Sequence, residues 1–263
     1  MTTEEKSHLD NSARPFPGSD GRAPALERKL VLVTGASRGI GLAIAQACAR
    51  EGAELLLVSR RAATLKLAVR EVPGAAGFIA DVTKEAEVAK LFSILRRRVK
   101  RLDVVVNNAG VFTYKPFTQT SLADWEINLR TNLTSLYLVT RAALPLLQRA
   151  HAPHMVNILS VSSRKAFPKC SAYCASKFGA LGFTRVIAEE FRAFGIRVTA
   201  VLPGSTSTRM TNEFDFPVVR ENLLQPSDVA RAVVAALAQP PRAGVDEILL
   251  TPSQGNLAAR RKR

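Results

Sequence analysis

No stretch of this 263-residue chain approaches the ~18 uninterrupted apolar residues that a membrane-spanning helix requires. Its most apolar window, Leu136–Leu147, is broken by Arg141 and Pro145. Cysteine is scarce, with only Cys48, Cys170 and Cys174. So small and odd a count argues against a disulfide framework and fits a reducing compartment. Cys170 and Cys174 lie four apart but have no histidine or further cysteine nearby, so we expect buried thiols and no metal site. Aromatic residues make up 6 % and do not interleave with the basic runs, which argues against specific nucleic-acid binding. Acidic residues are outnumbered, 22 against 37 Lys and Arg, for a net charge of +15. Much of the excess sits in LRRRVKR (95–101) and RRKR (260–263), read as a solvated helix face and a basic tail, although anionic partners are compatible with it. The opening MTTEEKSHLD is too acidic and polar for a secretory or transit peptide, so a cytoplasmic location is expected.

What remains is an alternation. Residues 1–27 read as a disordered leader and 254–263 as a basic C-terminal tail, with one domain over 28–253. Short apolar, Val-rich runs at 29–34, 53–59, 75–81, 102–110, 154–160, 196–203 and 245–252 read as buried parallel strands. Between them, helical spacing covers 41–52, 62–71, 84–100, 121–150, 172–194 and 226–238. Gly52 closes the first helix, Ser121 with Asp124 opens the long one, and Ser227 is the expected cap of the last. Such alternation predicts an α/β fold: a single Rossmann-type, doubly wound parallel sheet of about seven strands with helices on both faces.

TGASRGIG (34–41) admits two parsings. Gly35-Ala36-Ser37-Arg38-Gly39 fits the G-x-S-x-G elbow of serine hydrolases. Gly35, Gly39 and Gly41 also fit a phosphate cradle between a strand and the helix it opens, where free N–H groups face an anion. The hydrolase parsing needs a later acid and then a histidine. His151 and His154 precede a mid-chain strand, and His8 lies in the leader, so Ser37 reads as a hydroxyl lining the phosphate turn.

YCASK (173–177) puts a tyrosine and a lysine four apart, on one helix face. With TGASRGIG, NNAG (107–110), Asn132 and PG (203–204) in this order, the chain from about Lys29 to Pro252 resembles the short-chain dehydrogenase/reductase family. The resemblance implies NADP(H)-linked hydride transfer, with Tyr173 as general acid and Lys177 lowering its pKa from ~10. Ser160, thirteen positions before Tyr173, would hold the substrate oxygen; Ser162 and Ser163 are nearby alternatives. Asn132 would place a water that connects the lysine to solvent. The dinucleotide is expected on Gly35, Ser37, Arg38, Gly39, Ile40 and Gly41, on Asp81 and Val82 at the adenine, and on Asn108, Ala109 and Gly110 beneath the ribose. Tyr173 and Lys177 also touch the cofactor in this family, and Pro203, Gly204, Thr206 and Thr208 match the turn that fixes the carboxamide. An aliphatic residue is commoner than Thr206 at that position.

The second strand ends in Ser59-Arg60-Arg61, where an NAD enzyme of this build expects a carboxylate. Arg60, with Arg38 opposite, would pair with a 2′-phosphate, so NADP(H) is the expected cofactor. The implied function is reduction of a small-molecule ketone or aldehyde to an alcohol. Alternatives are a 3-oxoacyl-[acyl-carrier-protein] reductase, or a protein that senses NADP(H) without turnover. The end VDEILLTPSQGN, without the Asp-Gly-Gly turn of many acyl-carrier reductases, looks like the broader carbonyl reductases. Met210, Phe214 and Phe216 could form an apolar lid, and a homodimer or homotetramer is implied by the family alone.

Overall fold

The structure is a computed structural model, and it describes residues 25–214 and 222–253. The expected tail, most of the expected leader and Phe216 lie outside the described residues. The strands are β1 (Leu30–Thr34), β2 (Glu54–Ser59), β3 (Ala76–Ile79), β4 (Val104–Asn107), β5 (His154–Ile158), β6 (Arg197–Pro203) and β7 (Glu247–Leu250). They form one seven-stranded sheet in the order β3-β2-β1-β4-β5-β6-β7. Every pairing is parallel. Strands β1, β4 and β5 at the centre carry almost nothing but buried side chains, as a sheet covered on both faces demands. At the edge, β3 alternates between half-buried and exposed residues.

One face is covered by α1 (Gly39–Arg50), α2 (Ala62–Glu71) and α7 (Pro226–Leu237), whose Ile44, Leu65 and Val233 join Val31, Val33 and Val106 in one core. The other is covered by α3 (Glu85–Arg98), α5 (Ser135–Leu147) and α6 (Ser171–Arg192), which bring Phe92, Leu146 and Phe191 onto Leu32 and Val105. Strand order reverses between β1 and β4, so a crevice opens there at the carboxyl edge of the sheet.

Three expectations are corrected. The leader stops short of 27: Leu26 is buried, and the Ala25 and Leu26 N–H groups donate to the Glu51 side chain and backbone, which ties this segment to the end of α1. Ser227 does not cap α7; Gln225 does, in a capping box with Asp228, because Pro226 takes the first helical position. The helix expected over 121–150 is α4 (Leu122–Leu129), a π segment (Arg130–Thr134) and α5, all joined in helical backbone. The capping box at Ser121 and Asp124 is present. Gly52, at φ 82°, follows the last turn of α1 in the left-handed conformation that ends helices.

Candidate active site

The crevice holds two adjoining cavities. One, of about 770 Å³, runs from the turn after β1 to the end of β2. The other, of about 880 Å³, extends over the ends of β5 and β6. Ile40, Asn108, Gly110 and Thr208 line both, so they form one continuous cleft.

At the first end, the turn 35–38 leads from β1 into α1. Gly35 (φ 64°) and Gly39 (φ 58°) occupy the left-handed region that side chains resist. Asn108 pins this turn: its side-chain amide donates to Thr34 O at 3.0 Å and to Gly35 O at 3.2 Å. The Thr34 hydroxyl receives the Asn108 and Ala109 N–H groups, so β4 and the glycine turn are fastened from both sides. Gly41 faces inward, and a Cβ there would run into the Asn108 amide. It therefore packs the turn and does not line the cleft, whereas Gly35, Ser37, Arg38, Gly39 and Ile40 do. Arg38, Arg60 and Arg61 all face this cavity. Arg60 lies 4.0 Å from Asp81, whose carboxylate also accepts from the Thr83 hydroxyl and N–H. Val82, Asn108, Ala109 and Gly110 complete the wall.

At the other end, Ser160 sits just past β5 and Tyr173 in the first turn of α6; both line this cavity, and the Ser160 hydroxyl accepts from the Ser162 N–H at 3.1 Å. One turn on, the Lys177 ammonium donates to Ile158 O at 3.2 Å and lies 5.8 Å from the Tyr173 ring centre. Burial pushes the phenol up to about 12, against a smaller lowering by Ser160. Burial pulls Lys177 down to about 8. Desolvation is the largest influence on both groups. Ser162 and Ser163 are buried in the short 3₁₀ turn behind Ser160 and do not line the cavity.

Asn132 lies behind Gly110, outside both large cavities. Its amide brackets Val111, accepting from the N–H at 2.9 Å and donating to the carbonyl at 3.0 Å, and it also donates to Ser176 at 2.9 Å. The π segment rotates Asn132 into this position between the β4 loop and α6; such segments recur at functional sites. Pro203, Gly204, Thr206 and Thr208 line the cleft. Thr206 turns its hydroxyl to Gly204 O at 2.9 Å, and Thr208 caps the turn at Met210.

Sequence reasoning named Met210 and Phe214 but missed the Phe112 and Tyr114 side of the aromatic wall. The Phe112 ring meets Tyr173 edge-on at 4.8 Å and Phe214 at 5.5 Å, and Tyr114 meets Phe214 at 5.2 Å. Met210 and Phe214 line the same cavity as Tyr173, while Met210 stays 41 % exposed. Lys165 and Lys169 lie over the rings of Phe167 and Tyr114 and also line this end. The available signal was VFTY directly after NNAG, but nothing in its spacing marks it as more than loop.

Among the described residues, no histidine meets Ser37 as the hydrolase parsing requires. His154 is buried at the opposite, amino edge of the sheet, 2.8 Å from the Thr199 hydroxyl, and burial lowers its pKa to about 3. Among the described residues, no cluster of His, Cys, Asp and Glu is arranged to hold a metal ion, and no helix is long and apolar enough to cross a membrane.

The family model described as short chain dehydrogenase matches residues 29–216. The sepiapterin reductase of Chlorobaculum tepidum is 34 % identical over 241 residues, covering 88 % of this chain and 98 % of that protein. A metagenomic short-chain oxidoreductase crystallised with NADP matches at a TM-score of 0.76 and 31 % identity, over 87 % of this chain and 99 % of its own. An alcohol dehydrogenase from the archaeon Thermococcus sibiricus, complexed with 5-hydroxy-NADP, matches at 0.81 and 27 % identity, over 88 % of this chain and all of its own (100 %).

Proposed function

The chain belongs to the short-chain dehydrogenase family, and on that premise we propose that it reduces a ketone or aldehyde to an alcohol with NADPH, using Tyr173 as proton donor. The observation carrying this reading is the Ser160–Tyr173–Lys177 cluster at one end of a cleft whose other end is a glycine turn flanked by arginines.

The residues suit the dinucleotide. Gly35 and Gly39, both left-handed, put no side chain of their own between backbone and ligand, and the start of α1 offers unpaired N–H groups to phosphate. Arg38, Arg60 and Arg61 supply guanidinium forks where a carboxylate would repel a 2′-phosphate. The structural relatives above were crystallised with NADP and with 5-hydroxy-NADP. When bound, NADPH supplies the hydride.

This chain's own groups supply the rest. Ser160 and Tyr173 present two hydroxyls to one substrate oxygen, fixing the carbonyl. A phenol pushed up to about 12 stays protonated at neutral pH, as a proton donor must. Once its proton moves to the substrate oxygen, the phenolate left behind is stabilised by the Lys177 cation one turn away. Asn132, through Val111 and Ser176, holds the β4 loop against α6 and so keeps this geometry. The aromatic wall favours apolar, flat carbonyl compounds.

Lys165 and Lys169 at the substrate end favour one second reading, a 3-oxoacyl group carried on an acidic protein. NADPH oxidation across ketones, aldehydes, quinones and oxoacyl thioesters, free and carrier-bound, separates the two. We expect turnover of at least one carbonyl class, and loss of about three orders of magnitude or more in Tyr173→Phe, as for removal of an essential acid. Undiminished turnover by the phenylalanine variant would overturn the mechanism. NADPH binding without turnover of any class would support a sensing role instead.

A further inference from the structure

The edge of the sheet away from the cleft carries a cavity that the carbonyl chemistry does not use. Strands β1, β4 and β5 begin side by side there, tied by the Asp103 N–H to Leu30 O at 3.0 Å and by the His154 N–H to Asp103 O at 2.9 Å. The segments that enter these strands therefore converge, and Arg28, Lys29, Arg101, Asp103 and Arg149 help to enclose about 360 Å³. That volume lies within the range of small-molecule sites.

Four permanent cations line this cavity against two acids, Glu27 and Asp103. Asp103 is buried and already answered: it accepts from the Leu30 N–H at 2.9 Å and from Arg101 Nε at 3.1 Å, with Lys29 Nζ 3.8 Å away. Lys29 also donates to His151 O at 3.3 Å, which ties the segment before β1 to the one before β5. These contacts account for Lys29 and Arg101. They leave Arg28 and Arg149, both exposed, whose guanidinium groups make no ion pair and no hydrogen bond among the described residues. Arg28 is also held in the left-handed backbone region (φ 59°), which side chains resist. Its N–H donates to Gly52 O at 3.3 Å and its carbonyl accepts from Arg101 Nη2 at 3.5 Å, so the turn that keeps this arginine at the cavity is fastened from two sides.

We propose that this cavity is a second anion site, at the amino edge of the sheet, for a compound carrying two or more linked phosphate groups. Arg28 precedes β1 and Arg149 precedes β5, with β4 between them, so at the usual strand spacing their chains run about 10 Å apart. One phosphate can occupy one guanidinium fork, and a linked pair can occupy both. Lys29 and Arg101, held by Asp103, add positive charge from the segments between and beside them. Because both arginines are exposed, salt screens the attraction, and affinity falls as salt is added. The site is separate from the cleft, where Arg38 and Arg60 face the other edge of the sheet.

Calorimetric titration of inorganic pyrophosphate into the full chain, with NADPH saturating the cleft, is the test. We expect one saturable site per chain, weakened about tenfold or more in the variant combining Arg28→Gln with Arg149→Gln, as for loss of charge-assisted hydrogen bonds. Unaltered NADPH binding by that variant shows that it still folds. No saturable binding, equal affinity in the double variant, or binding no tighter than that of sulfate would overturn the proposal. Sedimentation with phosphatidylcholine vesicles, plain or carrying a doubly phosphorylated inositol lipid, then identifies the source of the phosphates. Co-sedimentation with the charged vesicles that pyrophosphate competes away supports a lipid headgroup; protein that binds pyrophosphate but stays in solution supports a soluble ligand.

Discussion

Lys177 is a residue whose ionisation burial brings near to working pH. Burial lowers it to about 8, while the same burial pushes Tyr173 up to about 12. Below the lower value the ammonium is charged and can stabilise a phenolate; above it the charge is lost while the phenol still holds its proton. The rate of carbonyl reduction should therefore be level on the acid side and fall with rising pH through about 8, near tenfold per unit beyond it. A steady-state kcat/KM profile checks this, and an alkaline limb centred near 10 or higher would show that burial does not govern the lysine. The positions of Ser160, Tyr173 and Lys177 could be read from YCASK and a thirteen-residue interval. Their charge states could not, because desolvation depends on what packs around the site: β5, β6 and the Phe112 ring.

Among the elements, the β1–α1 turn does most to shape the cleft, and its glycines differ in kind. Gly39 has room for a Cβ, which would make ordinary contact with the Thr208 methyl at 3.6 Å, but a left-handed backbone. Gly41 has ordinary helical backbone and no space, since a Cβ would meet the Asn108 amide and come 2.6 Å from Gly35 O. Gly41→Ala should cost about 1–3 kcal/mol, the usual range for overpacking. Gly39→Ala should cost about 1–2 kcal/mol from backbone strain alone. Only Gly41→Ala should also disturb Asn108 and the β4 loop. Urea unfolding with amide-exchange protection at 108–111 tests the distinction; equal loss of protection in both variants would refute it. The glycine pattern was legible as a turn, but the division of labour within it was not. Nor was the π segment, because inserting one residue into a helix leaves the apolar periodicity of 121–150 almost intact.

For the molecule as a whole, a ligand that spans the crevice adds its binding free energy to the stability of the fold. NADPH at about 100 times its Kd should raise unfolding stability by about 2.7 kcal/mol. Arg60 is half exposed beside Asp81, so its pairing with a 2′-phosphate is partly screened. Arg60→Ala should remove about 1–2 kcal/mol of the NADPH-induced gain, the range for a charge-assisted hydrogen bond, and leave that from NADH unchanged. Thermal unfolding with each dinucleotide is the measurement, and equal losses with both would remove the basis for the NADP(H) preference. The same arginines contribute to the net charge of +15, which also steers anions toward the cleft.

Seven apolar runs separated by helical periods were enough to specify a covered parallel sheet, since strands without a polar face have nowhere else to go. Punctuation by glycine and the four-residue Tyr–Lys step marked the two ends of the cleft, because those signals are local. Contacts distant along the chain left no such trace. Asn108 locking the β1 turn, Asn132 bracketing Val111 and Phe112 edge-on to Tyr173 all join segments whose proximity exists only once the sheet is wound. Burial is likewise a property of the assembled core, and it pushes Tyr173 up and Lys177 down.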